Sequence, residues 1–91
     1  MKPALEIGRS LDTVLNRDVH VILWNDPYNT MKYVTRVLLT VCGHEPKLAV
    51  TLMMIAHTHG KVCVKTCPLS EAQVIRSSLE THGLTATIDE D

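Results

Sequence analysis

Glycines 43, 60 and 83 do most to limit what this chain can become. Each follows a stretch with helical spacing, and glycine enters the left-handed backbone that ends a helix without steric cost. The first stretch places Met31, Val34, Val37, Leu38 and Val41 on one face and stops at Gly43. His44-Glu45-Pro46 then restarts the chain, and Pro46 suits a first helical turn. The second predicted helix shows Leu48, Leu52, Ile55 and Ala56 along one face, with Ala49 and Met53 adjoining it, and ends at Gly60. Pro68 opens a third, whose stripe is Leu69, Ala72, Ile75, Leu79 and His82, and Gly83 closes it.

Strand signals fill the intervals. In VHVILW (19–24), Val19, Val21 and Leu23 alternate with His20, Ile22 and Trp24, the period of a half-buried strand. In KVCVKT (61–66), Val62 and Val64 share one face and Cys63 and Lys65 the other. LTATI (84–88) puts Leu84, Ala86 and Ile88 together. The order is strand, helix, helix, strand, helix, strand. It predicts a single α+β domain, with three helices packed on a small three-stranded antiparallel sheet. Residues 1–17 have weak periodicity and contain Pro3, Gly8 and Ser10, so they read as a flexible N-terminal arm to a core of 18–91. The acidic residues 89–91 read as a solvated tail.

Composition narrows the function. The 91 residues suffice for one domain, and 45% hydrophobic content supports a small core. Nine basic against ten acidic residues argue against a binder of the phosphate backbone, which carries a basic excess. Trp24, Tyr28 and Tyr33 are the only aromatic residues, too few for a platform that stacks bases. No run approaches the ~18 apolar residues of a membrane span, and the start lacks the apolar stretch of a secretory leader. Three irregularly spaced cysteines, Cys42, Cys63 and Cys67, fit reduced thiols in a cytosolic compartment.

The loop NDPYNTM (25–31) is the densest polar feature. Asn25, Asp26 and Asn29 can cap a helix or make Asx-turns, Pro27 stiffens the loop, and Thr30 suits the N-cap. A helix start needs one or two such groups, so Asn25 and Asp26 stand partly unexplained. In HTHG (57–60), His57 and His59 lie near a helix C-terminus, where histidine interacts well with the dipole. A metal reading would recruit His57, His59, Cys63 and Cys67, but the spacing matches no usual zinc pattern, and no metal or cofactor is expected. No nucleophile motif or phosphate loop occurs, so no catalytic residue is assigned and an enzyme is not expected. Met31, Met53 and Met54 suit a core, and equally an adaptable pocket. If the first two helices pack on one sheet, Met31, Met53 and His57 meet the polar loop at one mouth, the usual form of a ligand site.

These residues resemble a family. VILWNDPYNTM…V followed by LMMIAHTHGK is similar to the ClpS adaptors, which deliver N-degron substrates to a Clp-type AAA+ unfoldase. The shared pattern is N-D-x-x-x-x-M, then M-x-x-x-H-x-x-G-K, and the likeness covers residues 19–88. The resemblance implies that Asn25, Asp26 and His57 hold a free α-amino group and that Asn29 contacts the peptide backbone. It implies that Met31, Val34, Met53, Ala56 and Leu84 line a pocket for Phe, Tyr, Trp or Leu. It further implies docking on the N-terminal domain of a ClpA- or ClpC-type unfoldase in the cytoplasm or plastid stroma, and nothing in the sequence demands more than a monomer. An α-amino group is largely a cation at neutral pH and offers three donors, for which an amide carbonyl, a carboxylate and a neutral imidazole are acceptors.

Three positions depart from the family pattern. Pro27 replaces a second acidic residue, Ala56 a bulkier valine, and KTCPLSEAQV (65–74) the stretch that helps dock the unfoldase. They leave open a regulatory module that binds the unfoldase without recognising a terminus.

Overall fold

The computed structural model describes residues 16–90. Its centre is strand β1 (Asp18–Trp24), in which Val19, Val21 and Leu23 are fully buried while His20, Ile22 and Trp24 point to the other face. β1 is followed by α1 (Met31–Cys42), α2 (Pro46–His59), β2 (Lys61–Pro68), α3 (Leu69–Thr81) and β3 (Thr85–Asp89). The strand order is β2-β1-β3 and both pairings are antiparallel. The three helices cover the face carrying Val19, Val21 and Leu23, and the architecture is the expected α+β domain.

The predicted helix signals act where the sequence places them. Thr30 is the N-cap of α1, and its hydroxyl accepts from the Tyr33 N–H at 3.1 Å. Gly43 and Gly60 take left-handed backbone, φ 70° and 94°, just past α1 and α2. Any side chain at those two positions would strain the turn. Pro46 is the first residue of α2, where its missing N–H would have had no helical partner anyway.

Several details differ from the sequence reading; among them, β3 runs from Thr85 to Asp89, so Leu84 precedes it and Asp89 pairs opposite His20 and is not part of a solvated tail. The inward face of α2 is Ala49, Met53 and Ala56, whereas Leu48 and Ile55 reach solvent. Apolar residues surround this helix, so periodicity alone could not orient it; small residues turn inward because α2 packs close to α1 and β2. β2 continues past residue 66 to Pro68, because it is an edge strand and a proline there sacrifices no hydrogen bond needed by a neighbour. Its register slips opposite Val21 and Ile22, so beyond this bulge Cys67, not Thr66, turns inward. His82 does not continue the buried stripe of α3; it is exposed at the C-cap, its Nδ1 2.7 Å from the Ser78 carbonyl oxygen.

Residues 1–15 of the expected N-terminal arm lie outside the described residues. Arg17 is fastened at both ends: its carbonyl accepts from the Leu69 N–H at 3.0 Å, and its guanidinium pairs with Glu90 of the acidic tail. All three cysteines are free thiols, Cys42 and Cys67 buried and Cys63 exposed. Burial pushes the Cys42 thiol up to about 11 and raises that of Cys67, so both stay protonated at neutral pH. Among the described residues, no helix is long and apolar enough to cross a membrane.

Leu23 is 1% exposed on the central strand and Val74 is 67% exposed on α3. Leu23→Ala should therefore cost about 2–5 kcal/mol in denaturant unfolding. Val74→Ala should stay within about 0.5 kcal/mol of wild type in the same measurement.

Candidate functional site

The strand register brings the site together. Trp24 at the end of β1 pairs with Lys61, the first residue of β2, and with Thr85, the first residue of β3. The loop after β1, the end of α2 before β2, and the α3–β3 turn therefore meet at one end of the sheet. The N–H of Asn25 donates to the Gly60 carbonyl at 2.9 Å, which ties the polar loop to the turn ending the helix of His57.

Loop 25–30 is organised by Asp26. Its Oδ1 accepts from the N–H groups of Tyr28 at 2.9 Å and Asn29 at 2.8 Å, an Asx-turn that leads the chain into α1. The Asn29 side-chain amide donates to the two Asp26 oxygens at 3.3 and 3.2 Å, and across to the Gly83 carbonyl at 2.9 Å. The hydroxyl of Tyr33, on the first turn of α1, donates to the neighbouring His82 carbonyl at 2.7 Å. One side chain from the loop and one from the first turn of α1 thus clamp the α3–β3 turn that precedes Leu84.

These contacts set the charge of Asp26. Desolvation alone would push its carboxyl up. The N–H of Asn29, its side-chain amide and the N–H of Tyr28 outweigh this and hold it below its ordinary value of 3.8. Asp26 is therefore an anion at neutral pH.

The nine residues that the resemblance assigns to a binding site line one cavity of about 550 Å³: Asn25, Asp26, Asn29, Met31, Val34, Met53, Ala56, His57 and Leu84. Asn25, Met31 and His57 are exposed at the rim, whereas Met53, Ala56 and Leu84 are buried in the floor. A polar, partly anionic rim above an apolar floor suits a ligand with a cationic head and an apolar body. His59 and Met54 lie outside the lining. The possible ligand set His57, His59, Cys63 and Cys67 does not assemble; among the described residues no three His, Cys, Asp or Glu side chains could hold a metal ion.

The sequence reading did not include Leu23, Trp24, Pro27 and Thr30 in the lining, nor the clamp residue Tyr33. The first four flank or interrupt residues already chosen, so adjacency alone would have found them. Tyr33 meets His82 across 49 residues of sequence, a contact without a local signal.

Comparison with known proteins identifies the family. A profile of the family described as ATP-dependent Clp protease adaptor protein ClpS matches residues 15–87. The chain belongs to the ClpS family. The ATP-dependent Clp protease adapter protein ClpS of Synechococcus elongatus is 37% identical over 93 residues, covering 97% of this chain and 98% of that one. The ClpS of Corynebacterium diphtheriae is 41% identical over 69 residues, covering 76% of this chain and 61% of that relative's length. The structure of Agrobacterium tumefaciens ClpS2 bound to L-phenylalaninamide superposes with a TM-score of 0.77 at 24% identity. It covers 84% of this chain and 99% of that one, a likeness of fold.

The Asp26 contacts give a signed pH prediction. Its native value lies below the unfolded one, so its contribution to stability is full above about pH 4 and fades as pH falls through the native value. Asp26→Asn keeps the Asx-turn acceptor but loses the charge. Urea unfolding should show wild type ahead of Asp26→Asn at neutral pH and the gap narrowing by about pH 3. A gap that widens in acid would contradict the assignment.

Proposed function

We propose that the protein is a non-catalytic adaptor that captures a free protein N-terminus bearing Phe, Tyr, Trp or Leu and delivers the bound protein to a Clp AAA+ unfoldase. The observation that carries this reading is the meeting of both motif halves in a single cavity, with polar groups at the rim and apolar groups beneath. Membership of a family of Clp protease adaptors supports the delivery step. L-phenylalaninamide, the ligand of the Agrobacterium ClpS2 structure, combines a free amine with an aromatic side chain, the two features this cavity would receive.

In this mechanism Asn25 and His57 accept hydrogen bonds from the α-ammonium group. Asp26 supplies the charge that favours the cation. The Asn29 amide nitrogen is engaged within the protein, so its carbonyl oxygen is the part that faces a peptide N–H. Met31 and Val34 of α1 and Met53 and Ala56 of α2 enclose the first side chain, and Leu84 closes the pocket. Acetylation removes the charge and two of the three donors, leaving acceptors unpaired against a bound ligand. That penalty exceeds the ~1–3 kcal/mol by which an apolar pocket distinguishes side chains differing by one methylene. The partner is the N-terminal domain of a ClpA- or ClpC-type unfoldase, met by a monomer in the cytoplasm or plastid stroma. Neither nucleic acid nor a membrane takes part. The preserved cavity favours this reading over a regulator that occupies the unfoldase without holding a peptide.

Fluorescence-anisotropy titration tests it, with peptides beginning Phe, Tyr, Trp, Leu or Ala and an acetylated Phe control. The bulky termini should bind, and Ala and the acetylated peptide should not. His57→Ala should weaken every free-amine peptide by about 10-fold or more, the loss of a hydrogen bond to a charged group. Met53→Ala should instead reorder the preference among first residues. Equal binding of free and acetylated peptides would overturn the reading.

A further inference from the structure

We infer that the adaptor also reads the substrate beyond its first residue, favouring acidic side chains in the positions that follow, through a basic cleft formed by Lys32 and Arg36. The inference rests on the terminus-binding reading above and refines its substrate class.

Charge is unevenly distributed along this chain. Overall it is nearly neutral, at −1. Residues 27–70, which supply α1 and α2, nevertheless contain five of the nine basic residues and only one of the ten acidic ones. The single acid is Glu45, beyond the far end of α1 from Lys32. The two helices that supply Met31, Val34, Met53 and Ala56 therefore carry basic residues and no acidic ones, although the rim also holds Asp26.

A second hollow, of about 210 Å³, is lined by Thr30, Lys32, Tyr33 and Arg36. Thr30 also lines the main cavity, and Met31 of the cavity wall lies between Thr30 and Lys32 in the chain. The cleft thus opens beside the mouth through which a bound peptide must leave the pocket.

Folding does not account for these two cations. Lys32 and Arg36 stand four residues apart on one helix, a like-charge spacing that destabilises it. Lys32 also lies in the first turn, where the helix dipole disfavours positive charge, and α1 contains no acidic residue to offset either effect. Among the described residues neither side chain pairs with a carboxylate; the ion pair found there joins Arg17 to Glu90. The nearby Asp26 is turned into its own loop by Tyr28 and Asn29. Two exposed cations without a counter-charge, beside the exit of a peptide pocket, are complementary to carboxylates on that peptide.

The test uses the full chain and three peptides beginning with Phe, whose second and third residues are Asp-Asp, Ser-Ser or Lys-Lys. Anisotropy titrations are run at low and high salt, with wild type and the Lys32→Gln/Arg36→Gln double variant. Wild type at low salt should bind the Asp peptide about 3-fold or more tighter than the Ser peptide, and the Lys peptide weakest, the scale of exposed ion pairs. The Asp-to-Ser ratio should fall toward one in the double variant, and in wild type at high salt. A ratio of one in wild type, with the Ser peptide bound, would overturn the inference while leaving terminus capture intact. A ratio that survives the double substitution would also overturn it. If no Phe peptide binds, terminus capture fails and the inference fails with it.

Discussion

Both edges of β1 are occupied, and both neighbouring strands start beside its last residue, Trp24. The site depends on that constraint. An antiparallel sheet with a central first strand must bring three chain segments to the same end. Here they are the loop entering α1, the end of α2 and the α3–β3 turn. Each contributes something different: polar acceptors from the loop, a histidine from the helix end, an apolar wall from the turn. The hydrogen bonds Asn25–Gly60 and Asn29–Gly83 then fasten loop to helix end and loop to turn. The scaffold is therefore more than a support; its register is what makes a binding site out of distant residues.

Much of this was legible because the signals are local. Gly43, Gly60, Pro46 and Thr30 act within a few residues of themselves, so the helix limits could be read directly. The alternation in β1 was equally plain, because only one face of that strand is covered. Most of the nine expected lining residues lie in or beside two short motifs, while Leu84 lies in neither and came only from the resemblance to the ClpS adaptors. Asp26 shows why one residue supports two readings. Its carboxylate builds the loop through the backbone of Tyr28 and Asn29, yet remains ionised at the cavity rim.

What the sequence concealed depends on partners distant in the chain. The orientation of α2 was hidden because Leu48, Val50, Met54 and Ile55 are as apolar as the residues that turn inward. Only close packing against α1 and β2 selects Ala49, Met53 and Ala56. The bulge in β2 arises from pairing with β1, and Val62, Val64 and Cys67 alone give no hint of it. The Tyr33–His82 contact and the Asn29–Gly83 contact are of the same kind. They join groups about fifty residues apart and have no periodic signature.

The clamp on the α3–β3 turn has a bearing on how the molecule is made. Leu84, one wall of the cavity, and β3, the strand that positions it, come close to the end of the described chain. A protein synthesised from its N-terminus exposes the polar loop and both walls of α1 and α2 first. It cannot complete the pocket until the last strand has paired with β1, a contact between segments far apart in sequence. A cavity walled by Leu84 is therefore completed only when the loop, the end of α2 and the α3–β3 turn have all assembled, which ties the pocket to the folding of the whole described domain.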